Sequence, residues 1–320
     1  MTENDSVEAA LTQDELASIL RICSPDALLV GGQALAFWVD RLAVPRPPEL
    51  AASITTDADF IGNADIARRL GRGLGWKTWI PSLEDATPQI AKVTHVEVDG
   101  SIKQVDFLSG IVGLTTKDVR RRAQQLDVSG VGTIAVLHPV DVLDSRIQNL
   151  HLLPSKRNPA GFAQARLAIA MVKAFIRAES VQDDRPGLKL LERVVSIAQD
   201  HAALLVHVMY GIDVLAAVPI DDFTRSPELH RKRWPQVVAN IESQRRALAK
   251  LASRVSEPGA RRRAVRRPSP AAPRGAPHRP AGPRPADGAS AWHPPTGHRG
   301  GCRGRPVVRR CRHARAPRPP

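Results

Sequence analysis

The stretch Leu28-Leu29-Val30-Gly31-Gly32-Gln33-Ala34-Leu35 decides the fold: a short apolar run of β type, two glycines, then an amphipathic helical pattern. It reads as a buried strand over residues 27–30 that passes through a glycine turn into a helix over residues 33–42. Ala34, Leu35, Phe37, Trp38 and Leu42 form the apolar face of that helix. Glycine lets the backbone come close to a ligand, and the helix N-terminus faces the same point, where its N–H groups suit a phosphate.

Two acidic stretches follow in the same kind of context. Thr56-Asp57-Ala58-Asp59-Phe60 sits in a strand-like run over residues 53–61, and Val105-Asp106-Phe107-Leu108 ends another over residues 101–108. In a strand, residues i and i+2 share a face, which sets Asp57 and Asp59 on one side roughly 6–7 Å apart at ~3.3 Å per residue. Acids in an apolar run are costly, and neighbouring carboxylates raise one another's pKa. A bound Mg²⁺, which takes oxygen ligands, removes both difficulties.

The rest of the chain supplies the scaffold. Residues 6–22 read as a helix capped by Thr12 ahead of Glu15, and 43–52, with Pro45, Pro47 and Pro48, as a loop. Residues 65–74 read as a helix, 92–98 and 101–108 as strands joined by the Asp99-Gly100 turn, and 132–137 as one more strand. Asp106 then falls beside the Asp57/Asp59 strand in a mixed sheet. After Pro139 the pattern turns helical: Val140, Leu143, Ile147 and Leu150, then Phe162, Ala165, Ile169, Val172 and Ile176. One longer helix is expected to carry Leu188, Leu191, Val195, Ala198, Ala202, Leu205 and Met209, and residues 241–255 a last one. The fold class is therefore α/β (α+β): a mixed-sheet domain over 1–138, a helical domain over 139–257, and a tail over 258–320.

The formal net charge of +14 belongs to the tail. Residues 261–320 hold sixteen Arg, one acid (Asp287) and no Lys, a balance of +15 that leaves −1 for the preceding 260 residues. The body's charge thus says nothing about nucleic acid. The tail lacks Leu, Ile, Met, Phe, Tyr, Asn, Gln, Glu and Lys, a composition that predicts disorder. It reads either as an arm that neutralises nucleic-acid phosphates or, preferentially, as frameshifted GC-rich DNA. Cys23 stands alone in the body, so no disulfide framework is expected, and Cys302, Cys311 and His313 match no zinc motif. The polar start Met1-Thr2-Glu3-Asn4-Asp5 and the absence of a long apolar run lead to the expectation of a cytoplasmic protein with no membrane partner.

Gly31-Gly32 after an apolar strand, Asp57-Ala58-Asp59-Phe60 after Thr55-Thr56, and Val105-Asp106-Phe107-Leu108 together resemble the DNA polymerase β superfamily of nucleotidyltransferases. Over residues 11–176 the order of elements resembles the AbiEii-type toxins of abortive-infection toxin–antitoxin systems. The chain departs from that pattern in a longer Gly32-to-Asp57 gap and in Ser145-Arg146, after His138-Pro139, where many such members carry Lys. The resemblance implies that Asp57 and Asp59 hold two Mg²⁺ ions while Asp106 binds the catalytic ion and helps deprotonate an acceptor hydroxyl. It implies that Gly31, Gly32 and Gln33 cradle the triphosphate and that Arg146 contacts phosphate. The implied reaction moves an NMP from an NTP to RNA, such as a tRNA end, or to a protein hydroxyl, with a cognate antitoxin as a further partner. The alternative is a catalytically inactive nucleotide- or RNA-binding protein of the same fold. Lys156 and Arg157 read as a solvated helix end or as nucleotide contacts, and His95, His138, Trp76 and Trp79 as structural residues.

Overall fold

The structure, a computed structural model, describes residues 8–50, 54–82, 84–85 and 87–256. Met1–Val265 form one compact unit, while the second unit, Arg266–Pro320, lies outside the described residues, as do the expected arm or frameshift and its Cys302, Cys311 and His313.

Seven strands form one mixed sheet: β1 (Leu28–Val30), β2 (Ala58–Ile61), β3 (Lys77–Trp79), β4 (Gln89–Val96), β5 (Ile102–Leu108), β6 (Gln124–Val128) and β7 (Gly132–Val136). Their order is β3-β4-β5-β2-β1-β7-β6. β2 pairs in parallel with β5, β1 in parallel with β7, and the other neighbours are antiparallel. The fold is α/β, as the sequence leads one to expect. β1 is buried along its whole length, because strands in the middle of a covered sheet have no solvent face. Phe60 and Phe107 stack at 5.8 Å between β2 and β5.

Helices α1 (Gln13–Cys23), α2 (Gly31–Arg41), α3 (Ala64–Leu74) and α4 (Thr116–Arg122) accompany the strands. Thr12 caps α1 in a reciprocal pairing with Glu15. α2 buries Ala34, Leu35, Trp38 and Val39, and the Trp38 indole donates to the Leu137 carbonyl at 2.8 Å. From β7 the chain passes straight into α5 (Pro139–Leu152), then α6 (Pro159–Ser180), α7 (Asp184–Gln199), α8 (His201–Tyr210) and α9 (Trp234–Ser256). One continuous apolar core runs from Ile19 to Ile241 through both the sheet and these helices.

Several boundaries differ from expectation. α1 begins at Gln13 rather than residue 6, and Glu8 instead bridges to Ile102 at the start of β5; residues 6 and 7 lie outside the described residues. β2 begins at Ala58, so Asp57 precedes the strand, and residue 53 is not described. α2 starts at Gly31 itself. The single long helix expected through Met209 is two helices, broken at Asp200, whose backbone is extended (φ −68°, ψ 146°) and whose carboxylate accepts from the His201 N–H. Met209 is exposed. β3, β6 and α4 are further elements; β6 carries half-buried Leu126 and Val128 between exposed Gln125 and Asp127, the alternation of a strand with one solvent face. Among the described residues no single helix is long and apolar enough to cross a membrane.

Candidate metal centre

The central strands build the site. β2 and β5 run in parallel with Asp59 directly opposite Asp106, so strand pairing alone places the two carboxylates side by side. Asp57 enters from the bend before β2, where it accepts a short hydrogen bond from the Thr55 hydroxyl. One carboxylate oxygen from each of Asp57, Asp59 and Asp106 lies within 4.8 Å of the others. This cluster can bind a metal ion.

The glycine pair has a steric reason. Gly31 has φ +65°, and a Cβ there would sit 1.9 Å from Asp59 Oδ2; a Cβ on Gly32 would meet Thr55 at 2.4 Å. The Asp59 carboxylate therefore rests against the backbone that opens α2, in a space only glycine leaves vacant. Both glycines and the three acids line one cavity of about 310 Å³.

Across that cavity stand Arg146, Asn149 and Lys156. Arg146 is buried on α5 and donates to Gln164 Oε1 at 3.1 Å, while the Gln164 amide donates to the Ile54 carbonyl at 2.8 Å. That chain of bonds ties α5 and α6 to the segment leading into β2 and fixes where the guanidinium points. Gln33 does not join the site. It lines a separate cavity of about 420 Å³ with Leu16, Leu29, Phe37 and Asp127, because the side chains of α2 diverge within its first turn. Arg157 is occupied elsewhere, donating to the Leu150 and His151 carbonyls at the end of α5.

The electrostatics are those of crowded acids. Burial pushes Asp59 up to about 7, with Asp57 and Asp106 adding to the rise and Arg146 and Lys156 opposing it. Asp106 is raised by burial first and by Asp57, against the Lys92 ammonium and the Gln89 amide. Burial lowers Arg146, which Asp59 and Asp57 partly restore. The Gln104 amide donates to Asp106 Oδ2 at 3.3 Å, yet Asp106 Oδ1 is buried without a well-formed hydrogen bond. A buried carboxylate oxygen that takes no hydrogen bond, on a residue clustered with two further carboxylates, fits a cation ligand.

Of the histidines and tryptophans read as structural, His138, His95 and Trp76 are found in packing roles and Trp79 is not. His138 caps α5 by accepting from the Val140 N–H, and burial with Arg193 and Arg122 nearby pushes it down to about 3, so it is neutral. His95 stacks on Trp76 at 5.4 Å, while Trp79 is 42% exposed at the edge strand. Thr55, Lys92, Gln104, Asn149 and Gln164 are site residues that the motifs do not flag. Lys92 joins them through the observed hairpin register, which pairs it with Asp106.

No protein-family model matches the chain, and no curated protein matches it. Among solved structures it is similar to the crystal structure of JHP933 from Helicobacter pylori, at a TM-score of 0.29 and 10% identity, over 76% of this chain and 100% of that one. A likeness at that score carries no argument about chemistry.

Proposed function

We propose that the protein is a Mg²⁺-dependent nucleotidyltransferase that moves an NMP from an NTP to a macromolecular hydroxyl, and that it acts as a toxin of the AbiEii type with a cognate antitoxin. The observation that carries the reading is the convergence of Asp57, Asp59 and Asp106, whose buried Oδ1 takes no hydrogen bond, in one cavity with the buried Arg146. Asp57, Asp59 and Asp106 would hold the ions. Bound Mg²⁺ supplies charge neutralisation of the triphosphate and acidification of the acceptor hydroxyl. The opening N–H groups of α2 and the cations Arg146 and Lys156 would donate to the phosphate oxygens. Arg146 keeps its proton and so acts by charge and hydrogen bonding alone. The acceptor oxygen bonds to the α-phosphorus, the bond from that phosphorus to the bridging oxygen breaks, pyrophosphate leaves, and the hydroxyl proton passes to Asp106.

The test incubates the full chain with Mg²⁺, each α-labelled NTP, and total cellular RNA and protein. Label on RNA or protein that disappears in Asp57→Ala and Asp59→Ala supports transfer and identifies nucleotide and acceptor together. A folded protein that labels nothing with any NTP overturns it. Salt-dependent RNA binding that needs residues 261–320 but none of the three acids would then favour the binding-protein alternative.

A further inference from the structure

Resting on the metal-centre reading, we propose that Lys92 is the built-in counter-cation of Asp106 and competes with a divalent cation for it. Lys92 stands on β4 directly across the ladder from Asp106 on β5. Its ammonium lies 3.9 Å from Asp106 Oδ1 and donates to Gln104 Oε1 at 3.3 Å, while the Gln104 amide donates to Asp106 Oδ2. The three side chains form one unit on the β4–β5 hairpin, with Gln104 holding both ends.

The spacing sets this pair, like Arg225 with Asp184 at 3.7 Å, apart from the hydrogen-bonded ion pairs of the molecule. Arg122 reaches Asp141 at 2.9 Å and Lys103 reaches Glu15 at 2.8 Å, both within hydrogen-bonding distance. At 3.9 Å the Lys92 charge favours an ionised Asp106 through space without taking up a lone pair of Oδ1. Oδ1, which takes no hydrogen bond, thus stays available to a cation held with Asp57 and Asp59. The Lys92 side chain is 30% exposed against 9% for Asp106, so the ammonium can swing toward water as a cation arrives while the carboxylate cannot. The acids Asp57, Asp59, Asp106 and Glu8 outnumber the cations Lys92, Arg146 and Lys156 by one, so a divalent ion that binds turns the centre net positive, suited to a polyanionic nucleotide. Lys92 is a positioning residue: it acts through Asp106 and sets how readily metal enters before nucleotide does.

The experiment measures Mn²⁺ affinity by electron paramagnetic resonance on the full chain without nucleotide, at about pH 8.5, above the range in which crowded carboxylates hold a proton. Lys92→Met, which keeps the stem, is expected to bind Mn²⁺ roughly tenfold more tightly than the unmodified chain, and Lys92→Arg to match the unmodified chain. Unchanged or weaker Mn²⁺ binding by Lys92→Met, with Lys92→Arg folded and unaltered, overturns the proposal. A parallel arm adds an unreactive NTP analogue. If the analogue leaves Mn²⁺ affinity unchanged in every protein while Lys92→Met still binds more tightly by itself, the assignment of Lys92 stands and the transferase reading falls.

Discussion

Gly31 holds a left-handed backbone with the Asp59 carboxylate lying where its side chain would be. Gly31→Ala must therefore strain the backbone, at about 1–2 kcal/mol, and also displace a metal ligand. It is expected to lower stability in urea melts and to abolish tight Mn²⁺ binding. Gly100→Ala, at φ +83° with open space around it, is expected to show the backbone cost alone and keep the metal. Asp59 gives a pH dependence with a definite sign. Its folded value is raised from 3.8 to about 7, so the native state binds the extra proton and stability falls as pH rises through that window. Metal must displace the proton; stabilisation by Mg²⁺ in thermal melts should be small near pH 5.5 and approach its full size above about pH 7.5. At this scale the three acids and both glycines were legible because each is a chemically marked residue in a patterned context, while Arg146 was reached only through the family resemblance. Gln33 was misplaced because adjacency in sequence is not adjacency around a helix. Lys92 was hidden by one residue of turn. An Asp99-Gly100 loop of two residues would set Lys92 opposite Phe107, whereas the observed loop adds Val98, with Gly100 in the left-handed region, and sets it opposite Asp106.

Helix α5 has two working sides. One carries Arg146 and Asn149 toward the metal centre, and the other buries Asp141, which accepts from Arg122 on α4 through both oxygens and from Arg193 on α7. Asp141 is the point at which three helices are held by charge, and its removal would leave two partly buried guanidiniums facing each other. Asp141→Ala is expected to cost about 3 kcal/mol in denaturant titrations, the lower end for a broken buried pair because both arginines retain some solvent. Elements with strong periodicity or unambiguous caps were legible from the sequence: α1 through Thr12 and Glu15, α3, α5, α6, and the β4–β5 hairpin. The break at Asp200 was not, because the apolar stripe of α7 resumes in α8 and hydrophobic spacing alone does not report a change of axis. β3 was missed for being three residues long, and β6 for mixing polar with apolar residues as strands at a sheet edge do.

Across the molecule, the described fold and the excess charge lie in different parts of the chain. Among the described residues the buried apolar core ends at Ile241, while the +15 balance begins at Arg261. A chain ending at residue 256 is therefore expected to melt at the temperature of the full chain and to bind Mn²⁺ equally well. It should also lose the steep salt dependence of any RNA binding, a loss read from affinities at two ionic strengths. Whole-chain pI misleads here, and only the regional count shows that the body is nearly neutral. The pairing of Asp59 with Asp106 also bears on time. Both residues stand on interior strands with a hydrogen-bonded neighbour on either side, so fraying of a sheet edge does not part them. The Asp59–Asp106 pair persists for as long as these two strands stay paired, and an ion held there would enter or leave through the mouth of the cavity while the scaffold stays closed.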